Sequence, residues 1–192
     1  LCSPVVGASN TNPGGIAVWL KNIMDIYKQD PKDIEIDIQS CDRKKYINEN
    51  TNLIKRIYDG IIDYVKIISE IRKKIKREKY DIIHLCSTAS ISLIKDYIIF
   101  KIAKRYGIQT VIHFHFGRIP QLKKQNNKEW RLLKKIVENA DKVIVIDNES
   151  YLALSQNGYK HIFNIANPIS SDVFKIVEEN KEEKGEEKME KN

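Results

Sequence analysis

The chain has 192 residues, of which 42% are hydrophobic and 31% charged, and it carries a formal net charge of +7. That composition is globular and one domain in size; it excludes a disordered chain and leaves enough residues to bury a core without staples. No apolar run approaches the ~18 residues a membrane span requires, and the N-terminus lacks the basic and apolar regions of a signal peptide.

Residues 1–6 read as the end of a buried strand, followed by a loop rich in Asn, Ser and Thr. Gly14-Gly15 then opens a helix with Ile16, Leu20, Ile23, Met24 and Tyr27 at helical spacing, broken at Asp30-Pro31. Residues 33–38, Asp-Ile-Glu-Ile-Asp-Ile, alternate strictly, which predicts a strand with one polar face near a sheet edge. Residues 52–79 are helical, in one piece or in two around Asp59-Gly60. Their apolar positions Ile54, Ile57, Ile61, Val65, Ile68, Ile71 and Ile75 form one stripe expected to face the core. A strand over 81–86 and a helix over 90–106, stopped by Gly107, come next. Then follow a strand over 109–116, a helix over 127–139 and a short apolar strand over 142–146. The last two elements are a helix over 148–156, closed by Asn157-Gly158, and a strand over 161–166. Strands and helices alternate throughout, which predicts an α/β, doubly wound parallel sheet of Rossmann-like type with helices on both faces. In such sheets ligands bind beyond the carboxyl ends of the strands, near the first βα turn.

Charge is uneven along the chain. Residues 175–192 hold 5 Lys and 7 Glu with few apolar side chains, a net of −2, and read as a solvated helix or a disordered tail; residues 1–174, the folded domain, therefore carry +9. The densest basic run is Arg72-Lys73-Lys74-Ile75-Lys76-Arg77. It reads either as the solvated end of a helix or as a patch for anionic lipid or another polyanion. Nothing in the sequence has the pattern of a nucleic-acid-binding module. Cys2, Cys41 and Cys86 lack Cys-x-x-Cys spacing, which argues against a disulfide framework or a zinc site and for a reducing, cytoplasmic setting. The first residue is Leu1 rather than Met, which fits a fragment or a chain that starts inside a strand, and leaves a natural single-domain protein open.

Three motifs fall at the expected address. Thr11-Asn12-Pro13-Gly14-Gly15-Ile16 follows the first strand. It is neither the Gly-x-Gly-x-x-Gly fingerprint, which counts against a nicotinamide enzyme, nor a phosphate-binding P-loop. It reads as a tight turn or as a place where backbone N–H groups meet an anion. His113-Phe114-His115 ends a strand, and period two puts both imidazoles on one face. They read as core histidines or as a polar pair in a cleft; no third ligand stands at a telling spacing for a metal. His84, at the end of the preceding strand, is placed to join them. Cys86 reads as a small buried hydrophobe, and Trp19 as packing the first helix on the sheet.

These motifs, with Tyr80-Asp81-Ile82-Ile83-His84, the stretch from Gly107 to His115, Ala140-Asp141-Lys142-Val143-Ile144-Val145 and Ile165-Ala166-Asn167-Pro168-Ile169 with Phe174, resemble the N-terminal, acceptor-side domain of a family 4 glycosyltransferase of GT-B architecture. The resemblance covers residues 1–174. It implies a hexosyltransferase-like enzyme in cell-surface glycan synthesis. A sugar moves from a nucleotide-sugar donor to a hydroxyl acceptor, a glycan or a lipid-linked molecule, with retention at the anomeric carbon and with no metal or other cofactor. Carried onto this chain, His115 is the cleft histidine that holds donor and acceptor in register, with His113 the second choice. Gly14 and Gly15 face the departing diphosphate. Asn12, His84 and Arg118 line the acceptor side, though Arg118 reads equally as a surface residue. Cys86 departs from the family, which often has a second histidine there. The resemblance also implies a C-terminal donor-binding domain that this sequence does not contain, so the chain alone is expected to be inactive. The location it implies is cytoplasmic, or peripheral at the inner membrane face. The competing reading is a non-catalytic Rossmann-like module that binds an anionic membrane or a partner through the basic helix.

Overall fold

The computed structural model describes residues 1–3, 15–41, 53–88, 90 and 92–168. Six parallel strands form one sheet: β1 (Cys2–Ser3), β2 (Gln39–Ser40), β3 (Ile82–Ser87), β4 (Gln109–Phe114), β5 (Lys142–Val145) and β6 (Ile162–Asn164). Their order across the sheet is β2-β1-β3-β4-β5-β6. The described helices are α1 (Gly15–Gln29), α2 (Leu53–Arg77), α3 (Ser92–Arg105), α4 (Ile119–Gln125), α5 (Lys128–Asn139) and α6 (Asn148–Ser155). Right-handed crossovers set the layers. The chain steps one way from β1 to β2 and the other way from β3 onward, so α1 lies on one face and α2 to α6 on the other. Two apolar clusters record that division. Ile67, Ile71, Leu93, Ile99, Leu133, Ile136 and Leu154 pack with Leu85, Ile112, Phe114, Val143 and Val145 on the five-helix face. Ile16, Trp19, Leu20 and Cys86 form the smaller cluster under α1.

The expected Rossmann-like α/β sheet is what the chain forms, and four local expectations change. The alternating stretch 33–38 is not a strand; the ladder with β1 occupies Gln39–Ser40, at the sheet edge as expected. Alternation supplies a half-buried face, but a strand also needs a neighbour. Pairing with Leu1 begins only at Asp37, whose carbonyl accepts from the Leu1 amino group at 2.7 Å. The second helix is one unbroken element through Gly60. Its core stripe is rotated from the one expected: Gly60, Asp63, Ile67, Ile71 and Ile75 are buried, whereas Ile61 and Val65 face outward. With isoleucine or valine on nearly every face of this helix, spacing alone does not fix the phase. Third, α4 is an additional helix, started by Pro120 in its first turn, where a missing N–H costs nothing. Finally, β3 runs on to Ser87, so His84 sits inside the strand rather than at its end.

Under the carboxyl ends of β1 and β3 the five-helix face holds a buried ion pair. Lys95 and Asp96, both on α3, are bonded to each other, and Ser87 Oγ donates to Asp96 Oδ2 at 2.6 Å. Burial alone would push the Lys95 ammonium pKa down, but the Asp96 carboxylate beside it overrides this and the net direction is up.

Candidate functional site

Backbone geometry brings three imidazoles to one place. His84 and His113 point to the α1 face from β3 and β4, and His115 follows one residue past β4. Its N–H donates to the Ser87 carbonyl at 3.0 Å, which extends the ladder and holds that ring on the same face. The His113 and His115 rings stack 3.8 Å apart at 32°, and His84 lies 5.5 Å from His113. Trp19 of α1 closes over all three, with centroid distances of 5.7, 5.1 and 4.9 Å to His84, His113 and His115.

Trp19 stands four residues after Gly15, one helical turn. The start of α1 and the imidazoles therefore share the carboxyl edge of the sheet. Gly15 is exposed, and among the described residues nothing lies within 4 Å of where a Cβ would stand. The N–H groups of the first turn of α1 favour an anion. On the far side, the segment after β6 crosses to α1, where Asn22 Nδ2 donates to the Pro168 carbonyl at 3.4 Å.

The imidazoles are unusual in what they lack. Among the described residues, no partner reaches His84 Nε2 or either ring nitrogen of His113 and His115. Buried polar atoms normally find partners, and exceptions concentrate where a ligand or water completes the set. Burial pushes the His84 pKa down to about 4 and that of His113 to about 2, with the neighbouring imidazoles adding to both. Burial also pushes His115 down to about 4, against the opposing influence of the neighbouring Asn167 side chain. All three rings are therefore neutral near pH 7. Each can donate one hydrogen bond and accept another. Among the described residues, no group of three His, Cys, Asp or Glu side chains is arranged to hold a metal ion.

A stability profile follows from these shifts. Each folded-state pKa lies below the ordinary value near 6.5, so the unfolded chain binds more protons between pH 6.5 and about 4. The stabilisation is fully present above pH 6.5 and falls away as pH drops toward 4. A loss on the order of a few kcal/mol is expected between pH 7.5 and 4.5, read from urea midpoints. Asp37 and Asp141, whose pKa values are lowered mainly against burial by Lys74 with Tyr80 and by Lys104 with Thr110, lose their contribution only at lower pH. A flat midpoint between pH 7.5 and 4.5 would contradict the buried, neutral imidazoles.

The structure thus gathers His84, His113, His115 and Gly15 at one edge. Arg118 lies between β4 and α4 and is exposed; its Nη2 lies 3.8 Å from Glu129 Oε1, which also accepts from the Ser90 N–H at 2.6 Å. Asn12 and Gly14 lie outside the described residues. Two residues join the site beyond those expected, Trp19 and Asn167. For Trp19 the signal was its position one turn after the glycine pair; for Asn167 it was its place just past the last strand. Cys86 is buried under α1, and burial pushes its thiol up to about 12, as suits a packing residue. The clefts lined by Asp37, Lys74, Tyr80 and Ile82 open at the opposite, amino edge of the strands.

No match was found among curated proteins or among solved structures. The sequence model of Glycosyltransferase Family 4 matches residues 14–173, a span that contains all six described helices, the described strands β2 to β6, and every imidazole of the cluster. With most of its length so matched, the chain belongs to Glycosyltransferase Family 4.

Proposed function

We propose that this chain forms the acceptor-side half of a retaining glycosyltransferase that moves a sugar from a nucleotide-sugar to a hydroxyl of a glycan or lipid-linked acceptor. The observation that carries the reading is the contact of Trp19 with all three imidazoles, which puts the start of α1 and a cluster of ring nitrogens unpartnered among the described residues at one edge. In this reaction negative charge develops on the departing diphosphate while the sugar ring becomes electron-poor. Backbone N–H groups at the start of α1, from Gly15 onward, suit the diphosphate, because helix dipoles need no reorganisation as charge builds, and Gly14 is assigned the same role from its place in the sequence. His115, neutral at working pH, offers one donor and one acceptor and holds donor sugar and acceptor hydroxyl in register. We assign His84, His113 and Arg118 to the acceptor side, and Asn12 with them from its place in the sequence. The chemistry asks for no metal, and the setting is cytoplasmic synthesis of surface glycans.

The test is turnover. The chain is supplied with a donor-binding half of the same family and a panel of nucleotide-sugars and acceptors, and products are read by NMR at the anomeric carbon. Transfer with retained configuration is expected. Inverted product, or no transfer across the panel with both halves folded, would overturn the proposal.

A further inference from the structure

The last strand delivers the chain to the imidazole edge. Register lines Phe114, Val145 and Asn164 up across the sheet, and the Ile165 N–H extends the ladder by donating to the Val145 carbonyl at 2.9 Å. His115, one residue past Phe114, is therefore level with Ile165. From there the chain crosses the carboxyl end of β5 to reach α1, where the Pro168 carbonyl accepts from Asn22 Nδ2 at 3.4 Å. The crossing brings the exposed Asn167 beside the His115 ring, close enough for its side chain to act against the effect of burial there. One helix holds both sides of this arrangement. Trp19 and Asn22 are spaced to share a flank of α1. Trp19 lies 4.9 Å from the His115 ring, centroid to centroid, and Asn22 anchors the residue that follows Asn167.

The chemistry of the pair limits what it can grip. An amide offers a carbonyl that accepts and an NH2 that donates, and a neutral imidazole offers one of each. Neither group carries charge near pH 7. Phosphate and carboxylate oxygens only accept, so they would leave the accepting half of both groups unused. A hydroxyl donates and accepts, and two hydroxyls on adjacent carbons of a sugar ring can engage both groups at once.

We propose that Asn167 contacts substrate beside His115, the two together gripping neighbouring hydroxyls of a sugar ring, and that Asn22 is a positioning residue that holds Asn167 there through the Pro168 carbonyl. The substrate contact rests on the sugar-transfer reading. The positioning by Asn22 does not, because it concerns only where the chain after β6 lies. A hydroxyl contact made on binding and kept through the reaction belongs to uniform binding, so its loss falls on KM rather than on kcat.

The experiment is NMR on the full chain at pH 7.5, followed by kinetics in the assembled enzyme. A nuclear Overhauser contact is expected between the Asn167 side-chain amide protons and a carbon-bound proton of the His115 ring. Asn22→Leu, which suits a helix but has no donor, should remove that contact at a nearly unchanged melting temperature, and Asn22→Gln, which keeps a donor, should restore it. Saturation transfer to methyl glucoside is expected from the wild-type chain and not from Asn167→Ala; cyclohexanol, a ring with a single hydroxyl, should receive little. With the donor-binding half added, Asn167→Ala should raise KM by about 10-fold and Asn22→Leu by about five-fold, with kcat nearly unchanged in both. The positioning role is overturned if the wild-type chain shows no such contact, if Asn22→Leu keeps it, or if Asn22→Gln fails to restore it. The substrate contact is overturned if the wild-type chain transfers no saturation to methyl glucoside, if Asn167→Ala transfers as much, or if its KM stays at the wild-type value. Saturation transfer that depends on Asn167, with no turnover on any donor, would count against the sugar-transfer reading alone.

Discussion

His115→Ala is expected to lower kcat by about 100-fold or more in the assembled two-half enzyme while leaving the melting temperature nearly unchanged. The two parts of that expectation have separate causes. The ring contributes to the fold only through its packing on His113 and Trp19, since neither of its nitrogens has a hydrogen-bond partner among the described residues. Removing a half-buried ring with unpaired polar atoms takes away a desolvation cost together with some contact, and the two effects offset. Its backbone N–H, which donates to the Ser87 carbonyl, remains in the alanine variant, so the ladder past β4 survives. The activity part rests on positioning. A neutral imidazole that bridges donor sugar and acceptor hydroxyl acts only when both are bound, so its loss falls on kcat more than on stability. His115→Gln, which keeps one donor and one acceptor on a shorter reach, should recover part of the rate. Turnover and thermal melts on the three proteins check this. Wild-type kcat in His115→Ala would reject the assignment and move it to His113.

The order of strands and helices was legible because most elements carry a signal that no competing structure shares. Gly107 at φ +71 ends α3 where a left-handed residue is needed, and Asn127 caps α5 by accepting from the Trp130 N–H. Where the reading failed, one feature had been asked to decide two things. Alternation in 33–38 gave a polar and an apolar face but could not supply the neighbour that a ladder requires. The isoleucine-rich α2 gave a helix but not its phase, and that ambiguity hid the outward Ile61 and Val65. For the site, the His-x-His spacing and the first βα turn fixed the edge. The closure of Trp19 over the rings was not legible, because it depends on how α1 lies across β3 and β4. Nor was the Arg118–Glu129 pair, which joins two segments that sequence distance keeps apart.

Asp96→Ala is expected to destabilise the chain by about 3–5 kcal/mol, the largest stability effect we anticipate for a single substitution. Asp96 is fully buried and Lys95 is 5% exposed, so the pair is screened by little solvent. Removing the carboxylate would strand the ammonium and leave Ser87 Oγ without its 2.6 Å acceptor. An isolated buried charge is costly, and the ammonium would recover water only by opening the packing between α3 and β3. That packing supports the imidazole edge, because Ser87 both donates to Asp96 and, through its carbonyl, accepts from His115. Two further variants separate charge from shape. Asp96→Asn keeps the acceptor for Ser87 but loses the ion pair, and should fall between wild type and Asp96→Ala. Lys95→Met with Asp96→Leu removes both charges at similar volume and should regain much of the loss, since replacing a buried pair by apolar groups is often close to neutral. Urea midpoints at pH 7.5 measure all three. A wild-type midpoint in Asp96→Ala, or a double variant weaker than Asp96→Ala alone, would mean that the pair does not hold α3 against β3.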